Sequence, residues 1–429
     1  MIIHRNEPGQ GLAGTLASLL GGDLPVAIRA YDGSHAGPSD ASATLIIRSP
    51  DAVRRVLSSL GELGMARAYV AGDIDFDGDI YVVLGALREQ LGAAFRRPQS
   101  WAALARLVRG TGGLRRAPEP PPEEIRLHGR RHSRSRDAAA IAHHYDVSGD
   151  FYRLVLGPTM TYSCAVWEDP SVGLDAAQEA KYELICRKLG LAPGMRLLDV
   201  GCGWGGMAMH AARHFGVRAV GVTLSREQAE LARRRVADAG LADRVEIRLA
   251  DYREVDDGPY EAISSIGMFE HVGADQLGRY FSRMYALLAP QGRLLNHGIS
   301  LPVGQGPMGR NSFFQRYIFP DGELEEIGTV VSAVQHAGLE VRHVENLREH
   351  YALTLRAWVR NLEDSYTEAV GLAGAGRARV WRLYLAASVL GFESGELEIH
   401  QTLAVRDAAG SSGMGLRPEW EQSHRIPHG

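Results

Sequence analysis

With 429 residues, 45% of them hydrophobic, the chain is long enough for two domains with proper cores and has the composition of an ordinary soluble globular protein. A formal net charge of −4 excludes the strongly basic domain that generic nucleic-acid binding requires, so no nucleic-acid partner is expected. Three cysteines, Cys164, Cys186 and Cys202, form no CxxC pair, which excludes a disulfide framework and a cysteine zinc site and points to a reducing cytoplasm with no metal. The first residues, MIIHRNEPGQGLAG, read as neither a signal peptide nor a membrane span, and no apolar run reaches the length of about 18 residues that a span needs. Lys181 and Lys188 are the only lysines beside many arginines, a bias that reads as coding composition rather than chemistry.

The N-terminal part alternates short strands, LPVAIRAYDG and ATLIIRSP, with helical segments, DAVRRVLSSL and DIYVVLGALREQL, and predicts a small α+β domain over residues 1–110. It contains no charged constellation that looks catalytic, so its expected role is docking or lipid binding. Residues 111–137 are rich in Pro, Gly and charge without an apolar period, and read as a linker. The arginines of this region suit a solvated tether or, with a lipid substrate, a patch for anionic headgroups.

From Asp175 onward helices and strands alternate: AAQEAKYELICRKLG, MRLLDVGCG, GMAMHAARHFG, RAVGVTLS, EQAELARRRVADAG, VEIRLADY, YEAISSIGMF and RLLNHGIS. The alternation predicts a doubly wound α/β fold with a parallel sheet over 138–429, whose ligand lies at the carboxyl ends of the strands. A Gly-rich loop and NSFFQRYIFPDGEL follow, then the strand LEVRHVENL, a helical stretch from His350 to about Phe392 and a closing strand, ELEIHQTLAVR. The helices within about 303–392 are expected to form a lid.

The glycine-rich turn Gly201, Gly203, Gly205, Gly206 follows a strand ending in Asp199, and by itself fits several nucleotide ligands. The second strand ends in Gly221-Val222-Thr223-Leu224-Ser225 without the acid that usually reads a dinucleotide ribose.

Seven motifs then resemble one family, the cyclopropane fatty acid synthases and their mycolic-acid relatives, over Ile141 to roughly Val405. They are HYD at His144 to Asp146, MTYSC at Met160 to Cys164, LLDVGCGWGG at Leu197 to Gly206, GVTLSREQ at Gly221 to Gln228, SSIGMFEHVG at Ser264 to Gly273, NHGI at Asn296 to Ile299 and REHYALTLRAW at Arg348 to Trp358. The first reads HYDVSGD, where the family more often has an asparagine before the final acid. The domain ahead of the linker resembles the extra domain of the phospholipid-acting members.

The resemblance implies a Rossmann-like methyltransferase using S-adenosylmethionine. Tyr162, Ser163, Gly201 and Gly203 would hold its methionine part, Thr223, Leu224 and Gln228 its ribose, and Asp251, Tyr252 and Ile266 its adenine, with Asp199 also among the cofactor-binding residues. It also implies a bound bicarbonate at Glu270, His297 and Tyr351, with Cys164 and Ile299 contributing through the backbone. Attack of an alkene on the sulfonium methyl leaves a carbocation that must lose a proton, and binding an anion beside Glu270 implies a perturbed carboxyl. Cys164 as a nucleophile has no base visibly paired with it.

Phe313, Phe314, Tyr317, Ile318, Phe319, Trp358 and Tyr384 are candidate walls of an acyl tunnel, although aromatics at this density also suit a plain core. The expected reaction is methyl transfer to the double bond of an unsaturated phospholipid acyl chain, then proton loss to a cyclopropane, by a cytoplasmic enzyme docked at the inner membrane face. The alternative ends in an exocyclic methylene, precursor of a 10-methyl branch, and needs a partner reductase. A lipid-binding protein with a vestigial site and a small-molecule methyltransferase are further readings. Relatives with the N-terminal domain are often dimers, which makes a homodimer the expectation.

Overall fold

The computed structural model describes residues 11–21, 24–59, 61–94, 107, 118–125, 148–306, 309, 311–418 and 420. The HYD motif at His144 to Asp146 and most of the linker expected at 111–137 lie outside these residues. The chain divides into two compact units, each taken by itself.

The first comprises residues 1–126, 309–318 and 373–390. Its sheet has the order β2-β1-β3-β4, from β1 (Ala27–Ala30), β2 (His35–Ala36), β3 (Ala43–Ile47) and β4 (Ile74–Gly78). Strand β3 alternates buried and half-buried residues, as a sheet with one face on a core must. The helices Gly11–Leu20, Pro50–Ser58, Glu62–Val70 and Ile80–Ala94 complete the α+β pattern. Residues 118–125, within the stretch read as linker, are held here. Glu124, 3% exposed in its side chain, accepts two bonds of 2.7 Å from Arg67, and the Ile125 N–H donates to the Arg316 carbonyl at 2.7 Å. A buried carboxylate needs such a partner.

The second unit comprises residues 127–308, 319–372 and 391–429. Its sheet runs β11-β12-β9-β8-β5-β6-β7. The strands are β5 (Arg196–Val200), β6 (Arg218–Thr223), β7 (Val245–Leu249), β8 (Tyr260–Ile266), β9 (Leu288–Leu301), β11 (Glu340–Asn346) and β12 (Glu398–Val405), with β10 (Glu325–Glu326) against the end of β9. From β7 to β9 the pairs are parallel, whereas β12 is antiparallel to both β9 and β11. The expected doubly wound fold is therefore observed, with an antiparallel edge closing it. Strand β5 is nearly all buried because helices cover both faces of a parallel sheet. One face packs on Ile185, Leu189, Met207, Ala211 and Ala232, the other on Tyr280, Phe281, Met284, Val330 and Val334.

The stretch from Arg348 to Glu393 is three helices, Arg348–Asp364, Tyr366–Ala373 and Ala375–Glu393. Phe313, Phe314, Tyr317, Ile318 and Tyr384, expected along a tunnel, belong to the first unit. There Phe313 packs on Tyr317 with ring centres 5.3 Å apart, and Phe314 meets Tyr384 at 5.9 Å. Phe319 and Trp358 belong to the second unit. Among the described residues no helix is long and apolar enough to cross a membrane.

Candidate active site

The carboxyl ends of β5, β6 and β8 surround a cleft in the second unit, which is where a doubly wound sheet collects its ligands. After β5 the chain turns through Gly201, Gly203 and Gly205 at φ +76°, +52° and +81°, a path side chains resist, and enters the helix Gly206–Phe215. That helix start meets the cleft backbone first: a Cβ at Gly206 would stand 2.3 Å from the Tyr182 hydroxyl.

After β6, Ser225 caps the helix Arg226–Asp238 by accepting from the Gln228 N–H at 3.2 Å, which sets Gln228 in the first turn. The Thr223 hydroxyl donates to Gln228 Oε1 at 2.8 Å, and both residues line the cleft. Tyr162, Ser163, Asp199, Gly201, Gly203, Leu224, Tyr252 and Ile266 line it as well. Asp251 does not stand on this wall. Its carboxylate accepts the Arg253 backbone N–H at 2.9 Å and the Arg253 guanidinium at 2.8 Å, capping the turn Tyr252–Glu254.

Lys181 was not anticipated on the wall. It lies on the buried face of the helix Leu174–Leu189, fully buried, and donates to the Ser163 hydroxyl at 2.8 Å. Burial pulls its ammonium down to about 7 and pushes Asp199, bonded to the Ser264 hydroxyl at 2.7 Å, up to about 6. A lysine inside the run of Ala177, Tyr182 and Ile185 was the signal in the sequence, because a helix that buries this face should carry apolar residues there. Tyr182, Trp204, Met268 and His271 are among the other unanticipated residues of the wall.

Glu270 stands in the turn Phe269–His271 after β8, and His297 lies within the neighbouring parallel strand β9, level with Ile266 at the end of β8. Glu270 Oε1 accepts the Ile299 N–H at 2.8 Å, while Oε2 is buried without a partner among the described residues. Burial pushes this carboxyl up to about 7. His297 Nδ1 meets Gln401 Nε2 at 3.2 Å, and Nε2 is likewise buried without a partner among the described residues. Burial, with Lys181 and Lys188 nearby, holds His297 well below its ordinary value, so the ring is neutral. Gly298 makes room for the group: a Cβ there would lie 2.1 Å from Phe269 Cε1 and 3.0 Å from Glu270 Oε1.

Tyr351 and Cys164 are tied to the same sheet edge through the backbone. The Leu347 N–H donates to the Ile399 carbonyl at 2.8 Å, and Ile399 is the register partner of Ile299. The Tyr351 N–H in turn donates to the Leu347 carbonyl at 3.1 Å, and Cys164 Sγ reaches that carbonyl at 3.8 Å. The Tyr351 ring packs on Phe392 at 4.7 Å and edge-on to Trp358 at 6.0 Å, and Trp358 meets Tyr162 of the cleft at 5.5 Å. The Cys164 thiol is fully buried and pushed strongly up by burial, which does not suit a nucleophile.

Residues 132–402 match the family described as Mycolic acid cyclopropane synthetase. The chain belongs to this family. Within it, a "probable fatty acid methyltransferase" of Mycobacterium tuberculosis is 46% identical over 412 residues, 93% of this chain and 96% of that protein. The cyclopropane-fatty-acyl-phospholipid synthase of Escherichia coli is 32% identical over 375 residues, 85% of this chain and 88% of that protein. A crystal structure of a mycolic acid cyclopropane synthase complexed with S-adenosylhomocysteine and CTAB is similar with a TM-score of 0.59 and 35% identity, covering 62% of this chain and 98% of that one.

Membership makes this chain a cyclopropane-synthetase-family methyltransferase that uses S-adenosylmethionine. The cleft suits that donor. Bare glycine backbone lets a ligand close on β5, the paired Thr223 and Gln228 stand where the dinucleotide acid is missing, and buried Asp199 and Lys181 offer both charge types for an amino-acid moiety.

Proposed function

We propose that this enzyme methylates the double bond of an unsaturated acyl chain in membrane phospholipid and releases it as a cyclopropane. Methyl transfer from S-adenosylmethionine to a lipid acyl chain is what the family brings. The ring and the phospholipid are what the proposal adds.

The observation that carries it is the pair of buried polar atoms, Glu270 Oε2 and His297 Nε2, without partners among the described residues at adjacent strand ends. An aliphatic alkene needs no such groups for binding, and burying them unpaired costs roughly 1–3 kcal/mol each. With Glu270 up at about 7 and His297 neutral, each can present a donor to a small anion near neutrality. This fits bicarbonate, held by Glu270, His297 and Tyr351 with backbone groups of Cys164 and Ile299; when bound, it supplies the base for the final proton. The chain's own part is to hold the methyl donor against the alkene, to keep water out with Trp358 and Phe392, and to keep an acceptor near the cation without trapping it.

Phospholipid is favoured by coverage. The phospholipid synthase aligns with 85% of this chain, whereas the mycolic acid synthase, aligned almost completely, covers 62%. The part of the first unit ahead of residue 132, which the family match does not reach, is then a docking element for reversible attachment to the bilayer surface. Cys164 in a covalent role is set aside.

A second reading is the exocyclic methylene followed by a separate reductase; the relative 46% identical, a probable fatty acid methyltransferase, is compatible with either product. Purified protein incubated with methyl-labelled S-adenosylmethionine and vesicles of monounsaturated phospholipid decides between them by carbon NMR. Label in a ring CH2 is the expected result, and label in a terminal =CH2 establishes the second reading.

A further inference from the structure

We infer that Lys188 and Gln401 form a relay that fixes His297 as the tautomer protonated on Nε2, so that the ring turns its one N–H donor away from Gln401. The inference rests on the place given to His297 above.

Three residues stand in one row across the edge of the sheet. Glu345 of β11 is the register partner of Gln401 in β12, which is the partner of His297 in β9. Directly paired residues project to the same face, so the row runs side chain to side chain. Lys188, at the end of the helix Leu174–Leu189, is fully buried and donates to Gln401 Oε1 at 2.7 Å and to the Glu345 carboxylate. Gln401, also fully buried, places Nε2 3.2 Å from His297 Nδ1.

Donor inventory settles the direction of each bond. An ammonium has three donors and no acceptor, so only the amide oxygen of Gln401 can face Lys188. The other end of that amide is then an NH2, which only donates, and His297 Nδ1 must accept. A neutral imidazole carries one proton, and it is left on Nε2, the atom without a partner among the described residues. A protonated ring is disfavoured by burial and by the charges of Lys181 and Lys188, so the accepting Nδ1 stays bare.

The competing explanation is a plain buried ion pair between Lys188 and Glu345. Glu345 is 36% exposed in its side chain, so it can be hydrated without Lys188 and does not require a fully buried cation. A buried ion pair is also poor evidence for stability, since an apolar replacement is often as good. The amide between the lysine and the histidine is what an ion pair alone leaves unexplained.

The test uses the full chain labelled with 15N-histidine. Two-bond proton–nitrogen correlation reads which ring nitrogen carries hydrogen, and the His297 signals are those lost in His297→Gln. The expected result at neutral pH is a proton on Nε2 alone. A proton on Nδ1 overturns the relay, whatever any variant does.

Gln401→Glu keeps a partner for Lys188 but offers His297 only acceptor oxygens, so Nδ1 should become protonated, and kcat should fall about 10–100-fold, the usual effect of losing such a supporting bond. KM for S-adenosylmethionine should stay within about twofold. Lys188→Met, which frees the amide to turn, should give mixed tautomers and a smaller loss of kcat. Unchanged tautomer in both variants overturns the relay. A reversed tautomer with unchanged kcat supports the relay and overturns the catalytic place given to His297.

Discussion

The cleft at the ends of β5 and β6 and the cluster at the ends of β8 and β9 belong to one sheet but are made of different material. The cleft is shaped by backbone: glycines at positive φ, a helix start without side chains, and a threonine–glutamine pair fixed by a serine cap. The cluster is shaped by side chains whose polar atoms are buried, some without partners among the described residues. In the cleft the backbone sets the shape, and the buried Asp199 and Lys181 add charge to it. The cluster rests on its side chains, whose unpaired buried atoms are costly until a ligand meets them. The two halves should therefore fail separately.

The strongest separation is expected in Glu270→Ala and His297→Ala. Each should lower the rate of product formation by about 10²–10⁴-fold, the range for loss of a positioned proton-handling group, and leave S-adenosylmethionine affinity within about twofold by calorimetry. If affinity for the donor drops along with rate, the cluster and the cleft are one site and the comparison fails.

The glycines give the next contrast. An alanine at Gly206 would drive into Tyr182 and one at Gly298 into Phe269, so both should cost stability by about 1–3 kcal/mol, the usual range for overpacking. Gly206→Ala should also weaken donor binding, whereas Gly298→Ala, which presses on Glu270, should retain donor binding and lose turnover. Thermal melts with and without S-adenosylhomocysteine read both effects.

The same contrast explains what could be read from residue order. The cleft is nearly contiguous in the chain, from Asp199 to Gly206 and from Thr223 to Gln228, so strand, turn and cap announce each other locally. The doubly wound sheet was legible for the same reason, since strong apolar runs alternate with amphipathic helices from Arg196 onward. Glu270 and His297 were identified through resemblance, while the structure adds what holds them. Gln401 faces His297 only because β12 runs antiparallel to β9, a register that no local pattern encodes. The excess of arginine read as coding bias, and the two lysines beside it, Lys181 and Lys188, carried no signal although both are fully buried. Equally invisible was the membership of 309–318 and 373–390 in the first unit, because aromatic residues at helical spacing state that they are buried and not against what.

A pH series examines the cluster without substrate. Burial raises the Glu270 carboxyl from 4.5 to about 7, so between those values the folded chain holds a proton that the unfolded chain has lost. Stability therefore declines as pH rises through this window, and the penalty is complete above it. Glu270→Gln titrates no proton there and should gain on the wild type across the same window, by up to about 3 kcal/mol. Denaturant midpoints at several pH values measure the gain. A constant difference between the two proteins would mean that the carboxyl is solvated and that the cluster is wet.

The smallest effect concerns Asp251, the residue expected at adenine, whose carboxylate accepts from Arg253. Its carboxylate caps the turn that carries Tyr252, and Tyr252 is the residue that lines the cleft. If Asp251 acts through this turn, Asp251→Asn, which keeps an oxygen for the Arg253 N–H, should weaken donor binding less than about twofold, whereas Asp251→Ala should cost about 1 kcal/mol of stability, as lost caps do, and only a few-fold in affinity. Arg253→Gln should then resemble Asp251→Asn, since the guanidinium serves the carboxylate and not the ligand. A carboxylate that reads adenine directly gives the opposite order: Asp251→Asn loses most of its affinity because a donor NH2 now faces the ring, and Arg253→Gln frees the acid and loses none. The same pair of variants is nearly equal in the first case and far apart in the second, so a single calorimetric comparison tells whether Asp251 supports the cleft through its turn or meets the ligand itself.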